Sequence, residues 1–552
     1  MKKILASILL VSLLQSCGRE SMEEINTDPN SYYTTVPSSV LTYAQKQLAD
    51  YVTTPNVNVN NFRLTMQYWQ ETTYIDESQY NFSTRNVSDQ VWNYLYVRVL
   101  KNLDQARKLI LAYQPTAAEQ AGWPKQMKNQ LAIIDLQQAY AFQILVDTYG
   151  DIPYSEALDI DVNPLPKYDN GKDIYASLIN RVRQDIANLD TTGKSFTSGE
   201  KYYNGDISKW KKFGNSLLLK MGIALADSDA ALAQSTVQAA IAGGVFTSKA
   251  DDCLLAYLAS PNYSALYANL VASNRNDFVL GKTLVDYMNS SNDVRRDLYM
   301  QKNVHYLAGS VTSVSGSTIT FDPASPAPAV APKVGDDVFV MPNTKVGTIT
   351  SISGNSFTLS GYVAGSVVED NDLGFSYYYK GGTIGAKSSF NSNTRVGTFA
   401  YTTTTPGILL NYTEVAFYLA EASARWGIGE APAAAYANAV TASFLQWGKT
   451  AADATAYLAT HPYDEVNWKK SLGEQAWVAM YDQPTTSFNF WRRLDFPVLL
   501  PAEGAVSDAN NKVPVRLKYP VTEQTTNPTN YNAGSTAIGG DFLYTKVFWD
   551  KN

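Results

Sequence analysis

Apolar residues recur at helical spacing through most of the chain. Trp92, Leu95, Val99, Leu103 and Ala106 share one stripe; so do Ile174, Leu178, Val182 and Ile186, and later Trp210, Phe213, Leu217, Met221 and Ala224. Asp206 and Ser208 supply helix-start residues before the last of these. Between the stripes lies a segment in which Ile133, Leu136, Tyr140 and Ile144 make one face and Met127, Leu131 and Ile134 a neighbouring one. From Ala139 to Val146 it is apolar nearly all round, so the helix needs cover on several sides and belongs in the middle of a stack. Gly150 predicts its stop, and Pro153 prevents it from resuming. Further helical patterns begin near Ser38 and run over Phe62 to Glu71, Leu409 to Trp426, Ala431 to Trp447 and Glu465 to Tyr481. An Asn-rich stretch from Thr53 to Asn61 interrupts the first of them, and the last seventy residues read as irregular.

The period changes to two between about Asn303 and Leu373. Gly309-Ser-Val-Thr-Ser-Val and Gly347-Thr-Ile-Thr-Ser-Ile alternate in polarity and are punctuated by Ser-Gly and Gly-Asn turns, with a proline-rich linker between them. The expected organisation is a mostly α chain of paired helices in the manner of tetratricopeptide hairpins, carrying long loops and a small inserted β module. Its parts are a helical scaffold over 38–302, the β module over 303–373, and a second helical part with an irregular C-terminal region over 374–552.

Composition is that of a folded protein, 45% hydrophobic and 12% aromatic, with 37 tyrosines. Net charge is −7 and no basic patch emerges, which argues against nucleic acid as a partner. Met1-Lys2-Lys3 and the apolar run Ile4 to Leu14 have the layout of a secretory signal over 1–16 and are too short to span a bilayer. Cys17, in Leu14-Gln-Ser-Cys-Gly18, resembles the lipidated cysteine of a bacterial lipobox, and 17–37 then reads as a polar tether. Cys253 is left alone, and a buried small hydrophobe is the expected role.

Little chemistry survives inspection. His305 and His461 lack ligand spacing to a partner and are expected at the surface. Gly281-Lys-Thr and Gly448-Lys-Thr lack the upstream glycine of a phosphate loop. Glu369-Asp-Asn-Asp372 reads as a solvated acidic loop, without the spacing of a calcium hand. No cofactor or metal is expected.

Asn26-Thr-Asp-Pro-Asn30, Val146-Asp-Thr-Tyr-Gly-Asp-Ile-Pro-Tyr154 and Asp206-Ile-Ser-Lys-Trp-Lys-Lys-Phe-Gly-Asn-Ser-Leu217 resemble motifs of the SusD/RagB family of outer-membrane lipoproteins. Tyr412-Thr-Glu-Val415 with Leu419-Ala-Glu-Ala422, Trp491-Arg-Arg-Leu-Asp-Phe-Pro497, Val513-Pro-Val-Arg-Leu-Lys-Tyr-Pro520 and Lys546-Val-Phe-Trp-Asp550 follow in the family's order. The resemblance implies a lipid-anchored, non-enzymatic binder at the cell surface that captures oligosaccharides and passes them to a SusC-type TonB-dependent transporter. The RagB branch suggests oligopeptides instead, and a secreted glycoside hydrolase is the reading from another class. The β module, and Asp293-Val-Arg-Arg296 in place of an Asp-Pro-Arg, depart from the family pattern.

A glycan binder needs flat rings for sugar faces and amides or guanidinium groups for hydroxyls. Three stretches offer them: Trp69 to Phe82, with Trp69, Tyr74, Tyr80 and Asn81; Pro261 to Asp277, with Tyr263 and Arg275; and Tyr377-Tyr-Tyr379, with Tyr379. Arg492 and Arg493 are expected to pair with a helix carboxylate, Glu414, Glu421 or Glu474, rather than with a ligand.

Overall fold

The computed structural model describes residues 35–551. The leader over 1–16, Cys17 and most of the tether lie outside the described residues. Helix α1 (Pro37–Thr53) is followed by a loop, a single helical turn (Phe62–Thr65) and strand β1 (Trp69–Glu71). Helix α2 (Val87–Asn93) runs through a π-helical stretch, Tyr94–Leu100, into α3 (Lys101–Ala112). Then come α4 (Trp123–Tyr149), α5 (Gly171–Asn188), α6 (Ile207–Ala224) and α7 (Ala230–Gly243).

Helix α4 is the centre of the stack. Its whole second half, Gln137 to Tyr149, is buried, and it packs on α3, α5 and α6. Gly150 ends it with φ +89°, a conformation that a side chain would strain. Asp206 caps α6 by accepting from the Ser208 and Lys209 amides. The one charged residue near the end of α4, Asp147, ties α5 and the chain's far end to it: its carboxylate accepts from Tyr175 Oη (2.5 Å), Asn489 Nδ2 (2.7 Å) and Trp549 Nε1 (2.8 Å).

After β2 (Cys253–Leu255), β3 (Phe278–Leu280) and α8 (Lys282–Ser290), the chain enters the β module. Strands β4 (Tyr306–Ser315), β5 (Thr318–Pro323), β6 (Asp337–Val340), β7 (Thr344–Ser353), β8 (Ser356–Ser360) and β9 (Asp372–Phe375) close into a barrel in the order β4-β5-β8-β7-β6-β9. The two alternating motifs occupy equivalent places. β4 bulges after Val311 and β7 after Ile349, and Thr312 and Thr350 each donate a hydroxyl bond back to the partner strand's Thr320 and Thr358 carbonyls. The barrel interior is filled by its own cluster, including Val311, Ile319, Ile349 and Phe357. At its base His305 is buried, stacked on Phe339 at 3.7 Å with Nδ1 2.5 Å from the Ser376 carbonyl oxygen; burial lowers its pKa. This corrects the surface placement expected for His305.

Strand β10 (Gly407–Leu410) precedes α9 (Tyr412–Trp426), α10 (Pro432–Gln446), α11 (Ala451–Leu458), α12 (Trp468–Ala479) and α13 (Pro484–Leu494). Consecutive members pack in pairs, α9 with α10 and α12 with α13, and α9 closes on α6. Lys220 from α6 meets Glu414 from α9 at 2.8 Å in that interface. Two short helices, α14 (Val521–Thr526) and α15 (Pro528–Ala537), lie in the C-terminal region, so it is more regular than its composition suggests. Phe62 to Glu71 is likewise a turn and a strand rather than one helix, because β1 finds its partner β3 over 200 residues away.

Candidate ligand-binding groove

The β1–β3 ladder pairs Trp69 with Leu280 and Glu71 with Phe278. Thr72 continues it, its amide donating to the Asp277 carbonyl at 2.9 Å and its hydroxyl to Asn276 at 2.7 Å. The loop after β1 and the loop before β3 are thereby held side by side. The Asn-rich loop is tied to α1 and to itself, Asn60 Nδ2 donating to the Tyr51 carbonyl (2.9 Å) and the Asn58 amide to Asn56 Oδ1 (3.1 Å), an Asx turn.

These three loops, with the end of α1 and the π-helical stretch, wall an open groove of two connected chambers. The larger, about 660 Å³, is lined by Lys46, Asp50, Tyr94, Arg98, Pro261 and Tyr263 among others. The smaller is lined by Glu71, Tyr74, Arg275 and Asp277. Asn56, Asn58, Arg85 and Asn269 line both, so the chambers form one channel. Tyr74 is 61% exposed, and the Tyr263 and Tyr267 rings stand 5.2 Å apart.

Of the residues singled out from the sequence, Tyr74, Tyr263 and Arg275 meet here. Trp69 and Tyr80 do not. Trp69 is buried, donates its indole N–H to Tyr481 Oη at 2.9 Å and carries the Arg63 guanidinium over its ring. Tyr80 is wholly buried, with its hydroxyl accepting from the Ala502 amide at 3.1 Å. Both are core residues, because the loop between them turns its large rings inward against the C-terminal half. Asn81 faces a different recess, shared with Phe82 and Lys518, and donates to Asp76 and Thr84. Tyr379 packs beside α8, donating to Asp297 at 2.5 Å under the Arg296 guanidinium, and does not line the groove. Conversely Lys46, Asp50, Tyr94 and Arg98 sit on helices whose periodicity marks them only as solvent-facing, and the Asn-rich loop had no distinguishing signal beyond its composition.

Two carboxyls brace the loop from below. Glu71 Oε2 accepts from the Ser78 amide (2.9 Å) and hydroxyl (2.8 Å), while Glu77 takes Arg85 Nη1 at 3.0 Å. Burial, and then the neighbouring Glu77, push Glu71 up to about 8; burial also raises Glu77. Among the described residues, no group of three or more His, Cys, Asp or Glu side chains is placed to hold a metal ion, and no helix is long and apolar enough to cross a membrane.

Paired helices presenting an open groove walled by loops, amides and tyrosine rings make a scaffold for binding a ligand at a surface. The sequence matches the model of the SusD-like family described as starch-binding and associating with the outer membrane, over 29–327 and 357–520; the gap falls inside the barrel. The chain belongs to this family. No individually curated protein matches it by sequence. Among solved structures it is similar to a chitin-binding protein at 24% identity, with TM-score 0.71, covering 94% of this chain and 100% of that one. It is also similar to a SusD homologue from Bacteroides thetaiotaomicron at 21% identity (TM-score 0.67, 94% and 100% covered). A chitin-binding SusD homologue from Flavobacterium johnsoniae matches at 17% identity (TM-score 0.67, 93% and 99% covered). The shared fold is mostly helical with a small β module.

Proposed function

We propose that this protein is a surface lipoprotein, anchored through Cys17, that captures oligosaccharides in the groove between Tyr74 and Tyr263 and delivers them to a SusC-type TonB-dependent transporter. The observation that carries this is the groove's make-up: the exposed Tyr74 ring and the half-buried Tyr94 and Tyr263 rings for the C–H faces of sugars, with the Asn56, Asn58, Asn93 and Asn269 amides and three arginines for hydroxyls. The starch-binding description of the family, and the two chitin-binding proteins among similar structures, support a glycan.

The protein binds without cleaving. A glycosidase needs two carboxyls on either side of the bond to be broken. Glu71 and Glu77 are neighbours, but Glu77 is wholly buried and engaged by Arg85, which supports a bracing role.

The test is calorimetry of residues 18–552, without lipid, against panels of oligosaccharides and oligopeptides. Saturable glycan binding, weakened by Tyr263→Ala, supports the reading. Binding to peptides alone replaces it with the oligopeptide alternative, and release of reducing ends from a bound glycan overturns the assignment as a non-enzyme.

A further inference from the structure

The charged groups of the groove are arranged in order along it. Arg98 lines only the larger chamber, Arg275 only the smaller, and Arg85 lines both, so three guanidinium groups follow one another down the channel, with Lys46 beside the first. The carboxylates on the same walls are few and engaged. Asp50 is held by Lys46 at 2.5 Å and by the Tyr257 hydroxyl at 2.7 Å, and Asp277 by Arg275 at 2.7 Å. Burial and the neighbouring Glu77 push Glu71 upward, which favours its neutral form. Glu77, which offsets Arg85, lies beneath the surface, and Asp76 stands 3.8 Å from the same guanidinium. Arg98 stands over the Tyr94 ring at 4.9 Å, and no carboxylate is placed within ion-pair distance of it among the described residues. Four cations, Lys46, Arg85, Arg98 and Arg275, thus line the two chambers against three carboxyl groups on the same walls, Asp50, Glu71 and Asp277, and Arg98 is the cation that no carboxylate engages among the described residues.

Resting on the glycan-capture reading above, we infer that the groove takes an acidic oligosaccharide, one whose repeating sugars carry carboxylate or sulfate groups that Arg98, Arg85 and Arg275 receive in succession. A guanidinium matches the two oxygens of either group with paired N–H donors, and a single neutral sugar leaves that fork partly unused. The successive placement suits a polymer with charge at each repeat better than a single terminal acid.

The experiment is calorimetry of residues 18–552 with oligosaccharides of equal length in three arms: a neutral glucan and chitin oligomer, an oligogalacturonate, and a sulfated, uronate-free galactan oligomer. The expected result is at least tenfold tighter binding in one acidic arm than in the neutral arm. That binding should weaken several-fold between about 50 and 300 mM salt, as screening shortens the reach of the guanidinium groups. Arg98→Gln and Arg275→Gln, both exposed side chains whose variants keep the wild-type melting temperature, each lower acidic affinity about tenfold and lower any neutral affinity by a factor at least three times smaller. The arm that binds tells carboxylate from sulfate. Equal or tighter neutral binding sensitive to Tyr263→Ala overturns the acidic inference and leaves the glycan reading standing. Silence in all three arms overturns both.

Discussion

The Arg493 guanidinium grips the Glu421 carboxylate side-on inside the scaffold, Nη2 2.8 Å from Oε2 and Nε 2.9 Å from Oε1, with both side chains buried. Arg425 reaches the same carboxylate from one turn further along α9, Nε 2.8 Å from Oε1, and extends to Asp227 at 2.7 Å. The neighbouring Arg492 donates to the Val515 carbonyl at 2.8 Å and lies over the Phe488 and Trp549 rings. The Trp-Arg-Arg motif therefore fastens α13 to α9 and to the C-terminal region, away from the groove.

Burial pushes Glu421 upward, but Arg493 and Arg425 outweigh it and its pKa falls below the ordinary value. A depressed carboxyl stabilises the fold above its unfolded pKa and loses that contribution as pH falls through the folded value. Glu421→Gln removes the carboxylate that two buried guanidinium groups share, of which Arg425 keeps Asp227, and is expected to cost about 3–5 kcal/mol at pH 7, with a smaller difference in acid. Urea unfolding at pH 7 and pH 3.5 measures it; equal losses at both would rule out the charged pair as the source.

Asp185 on α5 shows the opposite sign. Burial first, and then Asp135, raise it to about 9, while Arg181 pairs with Asp135. The folded state binds more protons than the unfolded one between about pH 4 and 9, so Asp185 makes stability fall as pH rises across that window. Asp185→Asn removes the titration, and its melting temperature should decline less between pH 5 and pH 9 than that of the wild type. Parallel curves for the two proteins would refute the assignment.

Trp69 and Tyr80 belong to the core, and Tyr74 and Tyr263 to the groove, so their alanine variants separate. Trp69→Ala is expected to lose about 3–5 kcal/mol of stability. Tyr263→Ala and Tyr74→Ala keep the wild-type stability within about 1 kcal/mol and lose affinity, each about tenfold, which is the scale of a ring stacked on a sugar. Thermal melts beside calorimetry on the same samples read both quantities.

The barrel leaves and re-enters the scaffold at one place. Tyr306 pairs with Phe375 across β4 and β9, so the two ends lie about 5 Å apart at Cα, and the barrel core is its own. Replacing residues 307–374 by a Gly-Ser pair should give a folded protein that keeps groove binding, since no residue of 307–374 lines either chamber. Lost glycan binding in a variant with an intact helical spectrum would assign the barrel to the ligand.

The period of apolar residues determined the helical scaffold. Stripes such as Ile174 to Ile186 and Trp210 to Ala224 leave a helix one way to bury its face, and the all-round apolar stretch of α4 leaves it only the centre. The alternation after Asn303 determined the β module for the same reason, with strand period in place of helix period. Position within the site was decided elsewhere. Trp69 and Tyr74 are both large aromatics in one short stretch; β1 pairing with β3 turns the first into the core, and the loop beyond leaves the second in the groove. Arg98 and Lys46 sit on helix faces whose pattern says only that they meet solvent. It took contacts between parts of the chain far apart in sequence, bringing Pro261 to Arg275 alongside α1 and the π-helical stretch, to make that solvent the interior of a binding groove. Local pattern sets which surface a residue shows, because that depends on its own neighbours in the chain. Which surfaces face one another depends on long-range pairing, which local periodicity does not encode.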